Sequence, residues 1–390
     1  MTSSLNRARA VADAVLYEGY LLYPYRASAA KNQVRWQWGV LMPESYAGDE
    51  IGEHACAQAE LIAEPPAQGV LHLRLRFLQL QKRVVETSDE PVPSLTVDDV
   101  EYTTWDEAVE REFETVLPFS VLLRGTAVPF QVDGGEDVEP IVGRDDARLV
   151  RRRAGLRGEL RIQGHALPGP FGGVKLRVRV HNRSHWDVGG AGRNEALAHA
   201  MIAAHVLLSI PDGAFLSLTD PPEWASLVTK ECVNERLWPV LVGRDTVLCS
   251  PIILSDHPEI AEQSQGPLYD GLEIDEILTL RTMTLTDEEK RQARATDARA
   301  AEIIDRVDGM PPELLDRLHG TIRYLRTITG EEPVDVSVVT EPPWWDPEAD
   351  ASMSPETDTV TVAGVAIGKG SRVRLRPVKR ADAHDMFLAG

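Results

Sequence analysis

Cysteine is scarce in this chain: Cys56, Cys232 and Cys249 are the only three in 390 residues, far apart and with no CxxC pair. That excludes a disulfide framework and a structural zinc or iron–sulfur site made by this chain alone, and it suits buried thiols in a reducing compartment. Long apolar runs are missing as well. No stretch approaches the roughly 18 residues needed to cross a bilayer, and the N-terminus MTSSLNRARAVADAV lacks the apolar core and cleavage site of an export signal. A cytoplasmic protein with no membrane insertion is expected. Cations are in deficit, 41 Lys and Arg against 61 Asp and Glu, for a net charge of −20. Such a surface repels phosphate backbones and anionic lipid, which argues against nucleic acid as a partner. Neither a P-loop nor a GxGxxG pattern is present, and no cofactor is expected.

What is there is an apolar fraction of 43% in 43.1 kDa, enough for a sizeable core and two or three domains. The most distinctive stretch is Leu16–Pro43. Four of the eight tyrosines fall within nine residues there, Trp36 and Trp38 follow, and Arg26, Lys31 and Arg35 are interspersed. Rings and cations of this kind suit a packed or ligand-facing surface better than proton transfer. Because amphipathic rings and arginine dominate interface anchors, Tyr23, Tyr25, Arg26, Trp36 and Trp38 are the expected partner-binding residues.

Along the chain, Leu71, Leu73, Leu75 and Phe77 alternate with His72, Arg74 and Arg76 in the two-residue period of a half-buried strand. Leu78 and Leu80 continue on the other parity, which requires either a bulge near Phe77 or burial on both faces. Gly158–Gln163 and Val174–His181 alternate in the same way and, joined by a Pro/Gly-rich loop, predict antiparallel neighbours. Helices are expected over Thr104–Val116 and, apolar almost all round, over Asn194–Ile210. After Pro222 a short helix alternates with apolar strands. Thr286 and Glu289 have capping-box spacing, Ala300, Ile303, Ile304 and Val307 form a helical stripe, and a further helix is expected after Pro311–Pro312.

From Glu331 to Asp358 there are nine acids, five prolines and no Lys or Arg, a linker composition in which Trp344 and Trp345 are expected to dock as anchors. Thr359–Pro377 predicts short strands with a Gly-Lys-Gly turn, the opening of an SH3-like barrel. Only 32 residues remain from Thr359, fewer than the roughly 50 that close such a core, so the module is expected to be incomplete, continued by a longer chain or completed by another one. The expected fold is α+β: a β-rich antiparallel body with packed helices (1–280), a helical segment (281–330), an acidic Pro-rich linker (331–358) and a small, truncated SH3-like β module (359–390).

Candidate chemistry is sparse. Glu195 and His199 lie i, i+4 on the expected helix, but His205 is six residues further, about 240° round it, so the imidazoles face apart and no metal site is expected. His54 and Cys56 have no companion that would activate a thiol. The densest polar cluster follows a strand and leads through glycines into a helix, and it offers an alternative ligand site for a small anion at His181, His185, Asp187 and Asn194, in an enzyme such as a hydrolase. The arginines of 74–76 and the cations Lys175, Arg177 and Arg179 would make a positive stripe if their strands were adjacent. They would then be either neutralised by acids such as Asp106, Glu107, Glu110 and Glu112 or open to an acidic partner.

Three blocks carry a resemblance: LYEGYLLYPYRASAAKNQVRWQWGVLMP, SPIILSDHPEIA with LYDGLEIDEILTLRTMTLTDEEKRQA, and GVAIGKGSRVRLRPVKRADAHDMFLAG. The chain resembles uncharacterised accessory proteins encoded in gene clusters of actinobacterial-type, high-affinity nickel–iron hydrogenases. The resemblance implies a non-enzymatic binding or scaffold role in assembly or maturation of such a hydrogenase, with its subunits or maturation factors as partners. It transfers no catalytic residues. Without paired CxxC motifs, the chain is not expected to hold the nickel–iron centre or an iron–sulfur relay.

Overall fold

A computed structural model describes residues 2–259, 266–269, 275–310, 360–362 and 365–367. The chain divides into two compact units, Met1–Leu318 and His319–Gly390. In the first, α1 (Thr2–Tyr17) and α2 (Ala30–Gln33) precede β1 (Cys56–Glu64), β2 (Val70–Thr87), β3 (Glu90–Val92), β4 (Ser94–Val97), β5 (Val100–Thr103) and β6 (Trp105–Pro118). Next come α3 (Phe119–Leu122), β7 (Thr126–Val132), β8 (Gly135–Pro140), β9 (Ala147–Arg153), β10 (Leu156–Ala166) and β11 (Val174–Asn182). They are followed by α4 (Arg193–Ala196), β12 (Ile202–Ser209), β13 (Ala214–Phe215), α5 (Ser226–Lys230), β14 (Trp238–Gly243) and β15 (Thr246–Ser250). The unit's last three described helices are α6 (Asp275–Met283), α7 (Asp287–Thr296) and α8 (Ala298–Asp308). In the second unit β16 (Val360–Val362) pairs antiparallel with β17 (Val365–Ile367). The Pro311–Pro312 helix, the acidic linker with Trp344 and Trp345, and the rest of the SH3-like module lie outside the described residues.

The fold is α+β and β-rich. A five-stranded sheet, β13-β1-β11-β10-β7, and an eight-stranded one, β14-β15-β12-β2-β9-β8 with β3 and β6 also on β2, enclose one apolar core. Leu71, Leu73, Leu75 and Phe77 of β2 meet Leu160, Ile162, Leu176, Val178 and Val180 of the facing sheet there. The β10–β11 pair is antiparallel, as its alternation predicts. On the other face of the eight-stranded sheet, α1 lays Ala8, Val11, Ala12 and Val15 over Leu207 and Leu248. Further along that face the aromatic segment and α6–α8 cover Leu78, Leu80 and Ile202.

The parity change in β2 is burial on both faces. The strand keeps unbroken register with β6 from Val70 to Arg83, and each face beyond Phe77 has its own cover. The bulge lies in the neighbouring strand: β12 shifts register between Ile202 and His205, where Ala203 is left-handed and donates its N–H to Trp38 O at 3.2 Å.

Two expected helices are strands. Thr104–Val116 lies mostly in β6, where the helix preference of Glu, Ala and Arg is overruled by pairing along β2. Glu112 and Glu114 stand opposite Arg76 and Arg74 and form ion pairs with them. Asn194–Ile210 has helical turns only as far as His199 and then becomes β12, buried throughout. A continuous apolar run fits a two-sided strand as well as a buried helix, and the sheet on one side with α1 on the other selects the strand. The capping box of Thr286 and Glu289 is formed at the start of α7, and Ala300, Ile303, Ile304 and Val307 are buried along α8.

Candidate functional site

The aromatic segment is an irregular strap held by polar bonds from within. Asn32, buried on α2, donates to Leu22 O at 2.8 Å and Arg26 O at 3.0 Å and accepts from Leu22 N at 2.9 Å, closing the turn through Tyr23–Tyr25. Tyr20 donates to Asp297 Oδ2 at 2.7 Å, and that carboxylate also caps α8, so the strap and the helices share one anchor. Thr296 donates to Tyr25 O at 2.6 Å.

At the centre is Arg35, only 4% exposed. Its guanidinium lies 3.6 Å from the Trp105 ring centroid and 4.1 Å from that of Trp36, and donates to Tyr20 O at 2.8 Å and to Asp106 O. Burial lowers its pKa to about 10, with nearby Tyr20 and Asp106 acting in the opposite direction. Tyr25 and Trp36 both have positive φ, a strained conformation for bulky residues that the surrounding packing imposes.

Two clefts open along the strap. One, of 560 Å³, runs between Arg26–Ser28 and the β3–β5 region, with Pro91, Pro93, Glu101 and Gln292 in its walls. The other, of 390 Å³, is lined by Arg35, Trp36, Lys82, Trp105, Asp106 and Asn194. They share Ala27 and Thr104. Three buried donors around them, Arg26 Nε, Trp36 Nε1 and Trp105 Nε1, have no hydrogen-bond partner among the described residues. Desolvation raises the pKa of Asp106, opposed by Arg35 and Lys82. The arrangement offers aromatic walls, spare donors and two carboxyls, Glu101 in one cleft and Asp106 in the other, a set suited to gripping a ligand.

The five expected contact residues separate by depth. Tyr25 and Trp36 are buried and belong to the core, which corrects their reading as surface contacts. Tyr23 is half-buried and donates to Arg281 O at 3.4 Å. Arg26 is half-buried, lines the larger cleft and pairs with Glu289 at 3.3 Å. Trp38 is 36% exposed. Arg35, Lys82, Trp105 and Asp106 were not expected at a site. For Trp105 and Asp106 the signal was the alternation of Glu110–Leu117, which makes the segment a strand and brings Trp105 beside the strap.

The alternative anion site is not assembled. His181 pairs with Glu44 at 2.9 Å, and desolvation and Arg183 lower its pKa. His185 and Asp187 are exposed, and only Asn194 reaches one of the two clefts. The backbone N–H of Gly192, at the start of α4, is already bound by Glu195 Oε2 at 2.7 Å. His199 stacks on Trp186 with centroids 4.9 Å apart. His205 is wholly buried, its Nδ1 bonded to Ala203 O at 2.8 Å, and burial lowers its pKa to about 3. Burial raises the thiols of Cys232 and Cys249 to about 11 and about 12. Among the described residues no three His, Cys, Asp or Glu side chains are grouped to hold a metal ion, and no helix is long and apolar enough to cross a membrane. No model of a known protein family and no curated protein matches the chain.

Proposed function

We propose that this is a non-enzymatic binding or scaffold protein of the cytoplasm, an accessory, assembly or maturation factor for a nickel–iron hydrogenase. The hydrogenase part rests on the resemblance of the three sequence blocks. The binding part rests on one observation: the strap is fixed from below by Arg35, Asn32 and Asp297, while Arg26 lines one of two clefts along it and Trp38 reaches solvent. A contact surface on a pre-organised support loses little freedom on binding, which favours a specific partner.

The test is pull-down with tagged protein against purified hydrogenase subunits and maturation factors. Capture of one of them, reduced at least tenfold by Arg26→Ala or Trp38→Ala with the melting temperature within a few degrees of the parent, is expected. No capture of any hydrogenase component would overturn the proposal. Trp36→Ala is read separately as a stability variant, because that ring is in the core.

A further inference from the structure

The two basic stripes differ in how they are neutralised. On β2, Arg74 and Arg76 face Asp13, Glu110, Glu112 and Glu114 and are fully countered by the protein's own acids. The stripe on β11 lies in the other sheet, so the two are not adjacent. The outer face of that five-stranded sheet carries Arg157, Arg161, Lys175, Arg177 and Arg179, with Arg183 at its end, against the carboxylates Glu44, Glu60 and Glu159.

Lys175 and Arg177 share the single carboxylate of Glu60. Arg161 and Arg183 share Glu159, and Arg183 and His181 share Glu44. Among the described residues no carboxylate pairs with Arg157 or Arg179; the guanidinium of Arg179 donates to the neutral amide of Gln58. Arg161 and Arg179 stand directly opposite one another on paired strands, a like-charge neighbour pair that costs stability. Arg157, Arg161 and Arg179 are all exposed. A chain of net charge −20 thus concentrates uncompensated cations on one sheet face.

We infer that this face, centred on Arg157, Arg161 and Arg179, docks an extended acidic polypeptide segment of a partner protein. Cations on alternate residues of β11, Lys175, Arg177 and Arg179, recur about every 6.6–6.8 Å, the spacing of alternate carboxylates on an extended chain lying along it, while on β10 Arg157 and Arg161 flank Glu159 at twice that spacing. The acidic remainder of the surface repels such a segment, so the field directs it to this face. The inference is independent of the strap, of its clefts and of the hydrogenase reading.

The test uses the full chain and a fluorescein-labelled 12-residue peptide of alternating Glu and Thr, with binding read by fluorescence anisotropy at 20 and 200 mM salt. Saturable binding that weakens at least tenfold at the higher salt is expected. The double variant Arg157→Glu/Arg179→Glu should lose at least tenfold in affinity, and Arg9→Glu, on α1 against the other sheet, should change it less than twofold. Arg179→Glu removes the repulsion across from Arg161, so its melting temperature should hold or rise while its binding falls. Unchanged binding by the double variant overturns the inference. So does equal or tighter binding of a 12-nucleotide oligothymidine under the same conditions, because the face would then be a general polyanion surface.

Discussion

Replacing Arg35 should unfasten the aromatic strap from β6. The guanidinium is sandwiched between the Trp36 and Trp105 rings at 4.1 and 3.6 Å and donates to two backbone carbonyls. Desolvated cation–π contacts contribute up to about 2 kcal/mol each, and hydrogen bonds from a charged donor about 1.5–3 kcal/mol each. One group makes all four, so they do not add, and part of the gain offsets the desolvation that lowers the arginine's pKa to about 10. Arg35→Ala leaves a cavity between two indoles and two unpartnered carbonyls, and the expected net loss is about 4 kcal/mol, a large share of the 5–15 kcal/mol by which a folded domain is stable. Arg35→Lys keeps the charge but loses the planar stack and the fork, for about half that loss. Urea denaturation followed by tryptophan fluorescence measures both variants. If Arg35→Ala came within 1 kcal/mol of the parent, the strap would be held by Asn32, Thr296 and its tyrosines without Arg35, and the reasoning would fail.

Two further outcomes follow from the core. The pKa of His205 is about 3 when folded against 6.5 for the free side chain, so between these values the unfolded chain takes up a proton that the native state refuses. Stability therefore falls on acidification, by about 2 kcal/mol from pH 7 to pH 5, and in His205→Gln urea midpoints at the two pH values should lose that part of the difference; an unchanged difference would show that other groups carry it. At Gly158 an added Cβ would lie 2.1 Å from Phe130 Cζ and 2.6 Å from Met201 Cε, both in buried side chains. Gly158→Ala should cost about 3 kcal/mol in urea denaturation, and a loss below 1 kcal/mol would show that Phe130 swings aside freely.

Where one face of an element is wet, its partner pattern is written locally. β10 and β11 show this, as do α7 and α8, whose capping box and apolar stripe need only their own residues. Where both faces are covered, the periodicity disappears: β12 is buried throughout because the sandwich core takes one side and α1 with the strap the other. β6 fails for a different reason, since its Glu-rich run prefers a helix until Arg74 and Arg76 are set opposite it. The candidate site divides in the same way. Arg26 and Trp38 could be singled out from a cluster of rings and cations, but Arg35, Trp105 and Asp106 meet across some seventy positions of sequence.

By itself, the sequence determined the net acidic charge, the scarcity and wide spacing of cysteine, the alternating strands and the concentration of aromatic residues near the N-terminus, all of which are properties of residues and their near neighbours. Only the tertiary structure decided which tyrosines are core, that Arg74 and Arg76 pair with acids while Arg157 and Arg179 meet none among the described residues, and that Arg35 is clasped between two indoles. The physical reason is that burial and charge compensation depend on groups distant in sequence, whose approach is fixed by sheet register and layer packing rather than by any local pattern.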